Sequence, residues 1–141
     1  MCIGYRVLLL CGAGRVSGYD YALALTAYQN GDFERSLDLL TDLAESGDSK
    51  SQYQLSRLYQ QGRGVERDMD AAIKWFRAAA ETGHSAAQNF LGWRYFKGDG
   101  VAQDYTEAAS WYVKAALQGN VQAPNQLGSM LVQGLGLPRH F

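Results

Sequence analysis

The chain offers few side chains suited to chemistry, and their spacing serves none of the common catalytic plans. His84 and His140 are the only histidines, they lie 56 residues apart, and neither stands in a metal-ligand pattern with cysteines or carboxylates. A serine nucleophile needs a strained elbow and a nearby base, and a cysteine nucleophile would have to be Cys2 or Cys11, both in the N-terminal segment. The pairs Gly62-x-Gly64 and Gly98-x-Gly100 look like phosphate loops only superficially. No strand pattern precedes them, and neither a third fingerprint glycine nor a P-loop lysine-serine follows. Asp68 and Asp104 could be cast as a carboxylate pair, yet they recur at the spacing of a repeat, which marks each as a local helix cap. The expectation is a non-catalytic protein with no catalytic residue, no metal and no cofactor.

Composition supports that direction. The 141 residues suffice for one domain with a core, and 47% hydrophobic with 19% charged residues is the mix of a soluble globular protein. Thirteen basic and fourteen acidic residues, scattered along the chain, leave a formal charge of −1. That balance gives no electrostatic footprint for a phosphate backbone or an anionic bilayer, so nucleic acid is not expected as a partner. The apolar run from Val7 to Leu10 is too short to span a membrane.

The elements that would position any site follow from an internal period. Gly47, Gly83 and Gly119 are 36 residues apart, and so are Leu55, Leu91 and Leu127, Gly62, Gly98 and Gly134, and Gly64, Gly100 and Gly136. Asp32, Asp68 and Asp104 keep the step, as do Ala44, Ala80 and Ala116, while Trp75 and Trp111 keep it with Leu39 one unit earlier. Within a unit, Leu55, Leu58 and Tyr59, then Ala87, Leu91 and Tyr95, fall at helical spacing and predict a first helix with one buried stripe. The Gly-x-Gly pairs then end that helix. Asp68 and Asp104 suit the N-cap or first turn of a second helix, where a carboxylate meets free N–H groups. That second helix runs through Ala72, Trp75, Phe76 and Ala79, and again through Ala108, Trp111, Tyr112 and Ala115. Small residues at Ala79 and Ala115 allow close helix approach, with the tryptophan filling the volume beside it.

In this register the sequence resembles the Sel-one-like repeat, a relative of the tetratricopeptide repeat. The unit from residue 84 carries the pattern nearly throughout: Ala87, Leu91, Gly92, Tyr95, Gly98, Gly100, Val101, Asp104, Ala108, Trp111, Tyr112, Ala115, Ala116 and Gly119. The unit before it departs at Ser51, Ser56 and Phe76. The resemblance implies an all-α fold, a right-handed superhelix (solenoid) of antiparallel helix hairpins, and a scaffold or adaptor role with a protein or peptide as partner. It divides the chain into a degenerate first hairpin at 19–47, repeats at 48–83 and 84–119, a half repeat at 120–137 and a tail at 138–141. The first hairpin lacks the Gly-x-Gly-Val insertion and is closer to a plain tetratricopeptide unit.

The ends are less regular. Residues 1–18 read either as a short export signal, with Arg6, an apolar core and then small residues, or as the frayed start of a cytosolic protein. The resemblance tips the reading toward a periplasmic or secreted protein, because relatives with a similar first hairpin commonly follow a secretion signal. The repeats contain no cysteine, which separates the chain from the cysteine-rich branch of the family. The half repeat keeps Leu127, Met130, Leu131, Leu135 and Leu137 where a terminal unit normally turns polar. It is read as the edge of a longer array or as a surface for self-association.

If repeated positions carry the fold, recognition belongs to positions that break the repeat. The resemblance puts the outer side of each first helix on a concave groove, which gives a binding ladder of Tyr53, Arg57 and Gln60, then Asn89, Trp93 and Phe96, then Asn125, Ser129 and Val132. Trp93 stands out, because Arg57 and Ser129 replace it in the neighbouring units and aromatic and arginine side chains dominate interface hot spots. The alternative is that Trp93 and Phe96 fill a gap against a neighbouring repeat.

Overall fold

The computed structural model describes residues 18–136, and among them every regular element is an α-helix. In chain order these are α1 (Gly18–Gln29), α2 (Phe33–Glu45), α3 (Ser49–Gln61), α4 (Met69–Glu81), α5 (Ser85–Lys97), α6 (Tyr105–Leu117) and α7 (Ala123–Gln133). Residues 1–17, which carry the export-signal reading except for Gly18 and include both cysteines, and residues 137–141 lie outside the described residues. The fold is thus the expected all-α array of helix hairpins. It divides into two compact units, one ending at Trp75 and the other beginning at Phe76.

Each 36-residue step repeats the same backbone chemistry. Gly62 and Gly98 take positive φ (68° and 71°) and send their N–H groups to the carbonyls of Leu58 and Arg94, both at 2.8 Å. The loop then closes on itself. The N–H of Asp68 donates to the carbonyl of Tyr59 at 3.0 Å, and that of Asp104 to Tyr95 at 2.9 Å. The side chains of the same two aspartates accept from Ala71 N and Glu107 N, each at 3.1 Å, so one residue both fastens the loop and caps the next helix. In the first hairpin, which has no such loop, Asp32 N donates to Ala27 O at 2.9 Å and its side chain caps Arg35 N at 3.2 Å.

The second glycine of the loop has a purpose that helix breaking alone does not require. A Cβ on Gly64 would lie 2.7 Å from the backbone of Phe33, and one on Gly136 would lie 2.3 Å from the carbonyl oxygen of Tyr105. In both places the loop rests directly on the first residue of an earlier helix, closer than any side chain permits.

The joints between hairpins are also periodic. Asp48, His84 and Asn120 stand 36 residues apart; Asp48 and His84 are the N-caps of α3 and α5, accepting from Ser51 N at 2.9 Å and Ala87 N at 3.3 Å, and Asn120, two residues before the N-cap of α7, accepts from Ala123 N at 3.1 Å. His84, considered above for chemistry, is therefore a helix cap. In the first unit the core gathers Ala24, Leu39, Leu40, Ala44, Leu55 and Leu58, with Trp75 partly buried against it. In the second it gathers Ala108, Ala109, Tyr112, Ala115, Ala123 and Met130. Trp111 is buried as expected, whereas Trp75 is only partly so, and both Ala79 and Ala115 are wholly inaccessible.

Candidate partner-binding surface

Helix α5 places Asn89, Trp93 and Phe96 on one side, at i, i+4 and i+7, away from the stripe formed by Leu91 and Tyr95. Their environments differ. Trp93 is 39% exposed, an unusual position for a tryptophan among the described residues of the second unit, where Trp111 is 6% exposed. Phe96 is half-buried against the second core and tilted against Tyr105 with ring centroids 5.5 Å apart, so much of its area is spent inside the repeat. Asn89 donates through Nδ2 to Gln122 Oε1 at 3.1 Å, which ties the start of α5 to the approach to α7.

Trp93 is held by a neighbour that sequence reasoning missed. Arg94 is 6% exposed, its guanidinium carbon stands 5.4 Å from the Trp93 ring centroid and 4.6 Å from that of Phe90, and Nη1 donates to Asp99. The positions 36 residues either side are Leu58 and Met130, both 1% exposed. An arginine in an apolar core position, paired with an aspartate five residues on, was the available signal. Cation–π contact on both rings restricts Trp93 before any partner arrives.

On α7, Asn125, Ser129 and Val132 occupy the equivalent side and are all exposed, Val132 at 88%. In the first unit, α3 carries Tyr53 and Gln60 half-buried and Arg57 exposed. The second unit thus joins an exposed aromatic, an exposed valine and amide or hydroxyl groups on two helices. A second residue type was also invisible to the sequence reading. Gln52 and Gln88 are buried, and their Nε2 groups donate to the carbonyls of Ala44 at 3.1 Å and Ala80 at 3.0 Å, satisfying the last turn of the preceding helix. Gln88 also accepts from Gln118 Nε2 at 2.8 Å.

Among the described residues no cluster of three or more histidines, cysteines and carboxylates could hold a metal ion, and no helix is long and apolar enough to cross a membrane. Helix hairpins with capped, glycine-closed loops define a helical-repeat protein. Two Sel1 repeats match at residues 49–84 and 85–120, and the chain belongs to the Sel1 repeat family. Such proteins are typically protein-interaction scaffolds.

Solved structures agree. A protective antigen of uropathogenic Escherichia coli strains, displaying an SLR fold, is 39% identical over 95% of this chain with a TM-score of 0.78. The chain spans only 29% of that antigen's length. A Sel1 repeat protein from Oxalobacter formigenes is 45% identical, covering 70% of this chain and 74% of its own, with a TM-score of 0.67. The cysteine-rich protein B of Helicobacter pylori shares the fold at 17% identity and a TM-score of 0.65, covering 77% of this chain and 92% of its own. A search of the curated proteins finds no match.

Proposed function

We propose that the protein is a non-catalytic scaffold whose second unit binds a peptide or helix of a partner protein on the outer side of α5 and α7. The observation that carries this reading is Trp93. It is a large, rotamer-restricted aromatic left 39% exposed at a position that the repeat does not need. Around it, Asn125 and Ser129 offer hydrogen bonds to a backbone or to amide side chains, Val132 offers apolar contact, and Asn89, half-buried and bonded to Gln122, braces the surface. Phe96 contributes through its exposed edge and otherwise supports the helix pair. On α3, Tyr53, Arg57 and Gln60 form the corresponding set for the first unit, with Arg57 able to meet an acidic or planar group.

The test is selection of peptides from a displayed library against the full chain, followed by affinity measurements with variants. Trp93→Ala should weaken selected ligands by about 2 kcal/mol, or roughly thirtyfold. Unchanged affinity in a folded Trp93→Ala protein would remove α5 as the binding side.

A further inference from the structure

Charge in this chain is scattered along the sequence but sorted by helix. None of α3, α5 and α7, the first helices of their hairpins, contains an aspartate or glutamate. Every second helix does: α2 carries four, α4 carries Asp70 and Glu81, and α6 carries Glu107. Only α1, in the degenerate first hairpin, departs from the rule, with Asp20. Helix formation does not ask for this sorting, since glutamate is a good helix former and the helix dipole favours a carboxylate in the first turn. What charge α3 and α5 do carry is positive, Lys50 and Arg57 on the one, Arg94 and Lys97 on the other. The two cations of α5 have different fates. Arg94 is buried and gives Nη1 to Asp99, so its charge is spent inside the fold. Lys97 is exposed and makes no ion pair among the described residues, its Nζ standing 5.8 Å from the centroid of the Phe96 ring. It lies one helical turn beyond Trp93, at i+4, on the same face. The pair breaks the repeat at both positions: Arg57 and Gln61 stand there 36 residues earlier, and Ser129 and Gln133 36 residues later.

We infer that the Trp93 side of α5 takes an acidic segment of a partner protein, with an aspartate or glutamate meeting Lys97 and an apolar side chain lying on the indole. This ligand chemistry rests on the Trp93 reading above and adds a charge to it. A carboxylate placed there faces an ammonium group without an ion-pair partner and no competing anion on α5 or α7. A basic segment fares worse on both counts. It meets like charge at Lys97, and the Arg94 guanidinium, 5.4 Å from the Trp93 centroid, already uses the capacity of that ring to attract a cation.

The probe is a random peptide library displayed and selected on the full chain, after which the dominant peptide is synthesised and its affinity measured. Selected peptides should gain aspartate and glutamate, and lose lysine and arginine, relative to the unselected library. Lys97→Gln, which copies Gln61 and Gln133, should fold normally and weaken the peptide by about threefold to tenfold, and Lys97→Glu should weaken it further. Replacing the peptide's key carboxylate with lysine should reverse the order, so that Lys97→Glu binds the swapped peptide more tightly than the unmodified chain does. Lys114→Glu, on α6, makes the same change in net charge and should leave the affinity within about twofold. Peptides without acidic enrichment, no selected peptide at all, or equal losses from Lys97→Glu and Lys114→Glu would overturn the acidic ligand. So would tighter binding of an oligothymidylate than of the selected peptide, which would make the ligand a nucleic acid. Loss of a neutral selected peptide by Trp93→Ala would keep the binding side and remove only its charge preference, whereas undiminished binding of an acidic one by Trp93→Ala would remove both.

Discussion

Gln88 shows how a polar side chain can be part of the interior. It is 4% exposed, donates to Ala80 O and accepts from Gln118, so Gln88→Ala strips a buried carbonyl of its partner. The expected loss is about 1 to 3 kcal/mol in urea unfolding. Helical periodicity treats glutamine as an outward residue, and the one unused signal was the 36-residue step to Gln52; Pro124 at the next step ends the series. Arg94 follows the opposite logic. Because Leu58 and Met130 fill its place elsewhere, Arg94→Met should be neutral or stabilising, whereas Asp99→Ala leaves a buried guanidinium without its anion and should lower stability by about 1 to 2 kcal/mol. The partner Asp99 is 56% exposed, which keeps that loss below the value for a fully buried pair. Tyr112 supplies a pH dependence. Burial pushes its hydroxyl up from the usual 10 to about 12, and that hydroxyl has no hydrogen-bond partner among the described residues. Between those values the folded chain keeps a proton that the unfolded chain has lost, so stability falls as pH rises from about 10 to about 12. Tyr112→Phe, which copies Phe76 of the preceding repeat, should remove its share of that alkaline loss in pH-resolved melts.

At the scale of elements, most of the fold was legible. The hairpins, their glycine ends and the caps at Asp68 and Asp104 follow from spacing, because each is a local requirement written into one turn of backbone. What spacing could not distinguish is why three glycines sit where they do. Gly64 and Gly136 combine positive φ with backbone atoms within 3 Å of any added Cβ, while Gly128 is helical and open. Alanine at Gly64 should therefore cost about 1 to 2 kcal/mol from the left-handed backbone alone, with the collision at Phe33 adding to it. Alanine at Gly128 should stabilise by about 0.5 to 1 kcal/mol, and thermal melts of the two variants read opposite signs. Trp75 marks another limit of periodicity. It shares a register with Trp111 but not its burial, because exposure depends on what lies over a helix and not on the helix's own sequence.

For the molecule as a whole, the division of labour is between residues that the repeat demands and residues that it does not. Trp111 and Trp93 are the clearest pair, two tryptophans of the second unit at 6% and 39% exposure. The fold class was readable because it is written redundantly, once per 36 residues. The proposed recognition side was expressed in the sequence only as a set of positions, since a side chain's exposure and its neighbours, such as the guanidinium beside Trp93, arise from packing. The most direct test of this division is a paired measurement of melting and ligand affinity on Trp111→Ala and Trp93→Ala, using peptides selected on the unmodified chain. Trp111→Ala should lose about 3 to 5 kcal/mol of stability, while Trp93→Ala should melt close to the unmodified protein and lose binding roughly thirtyfold. A Trp93→Ala protein that binds undiminished and melts as early as Trp111→Ala would contradict the account.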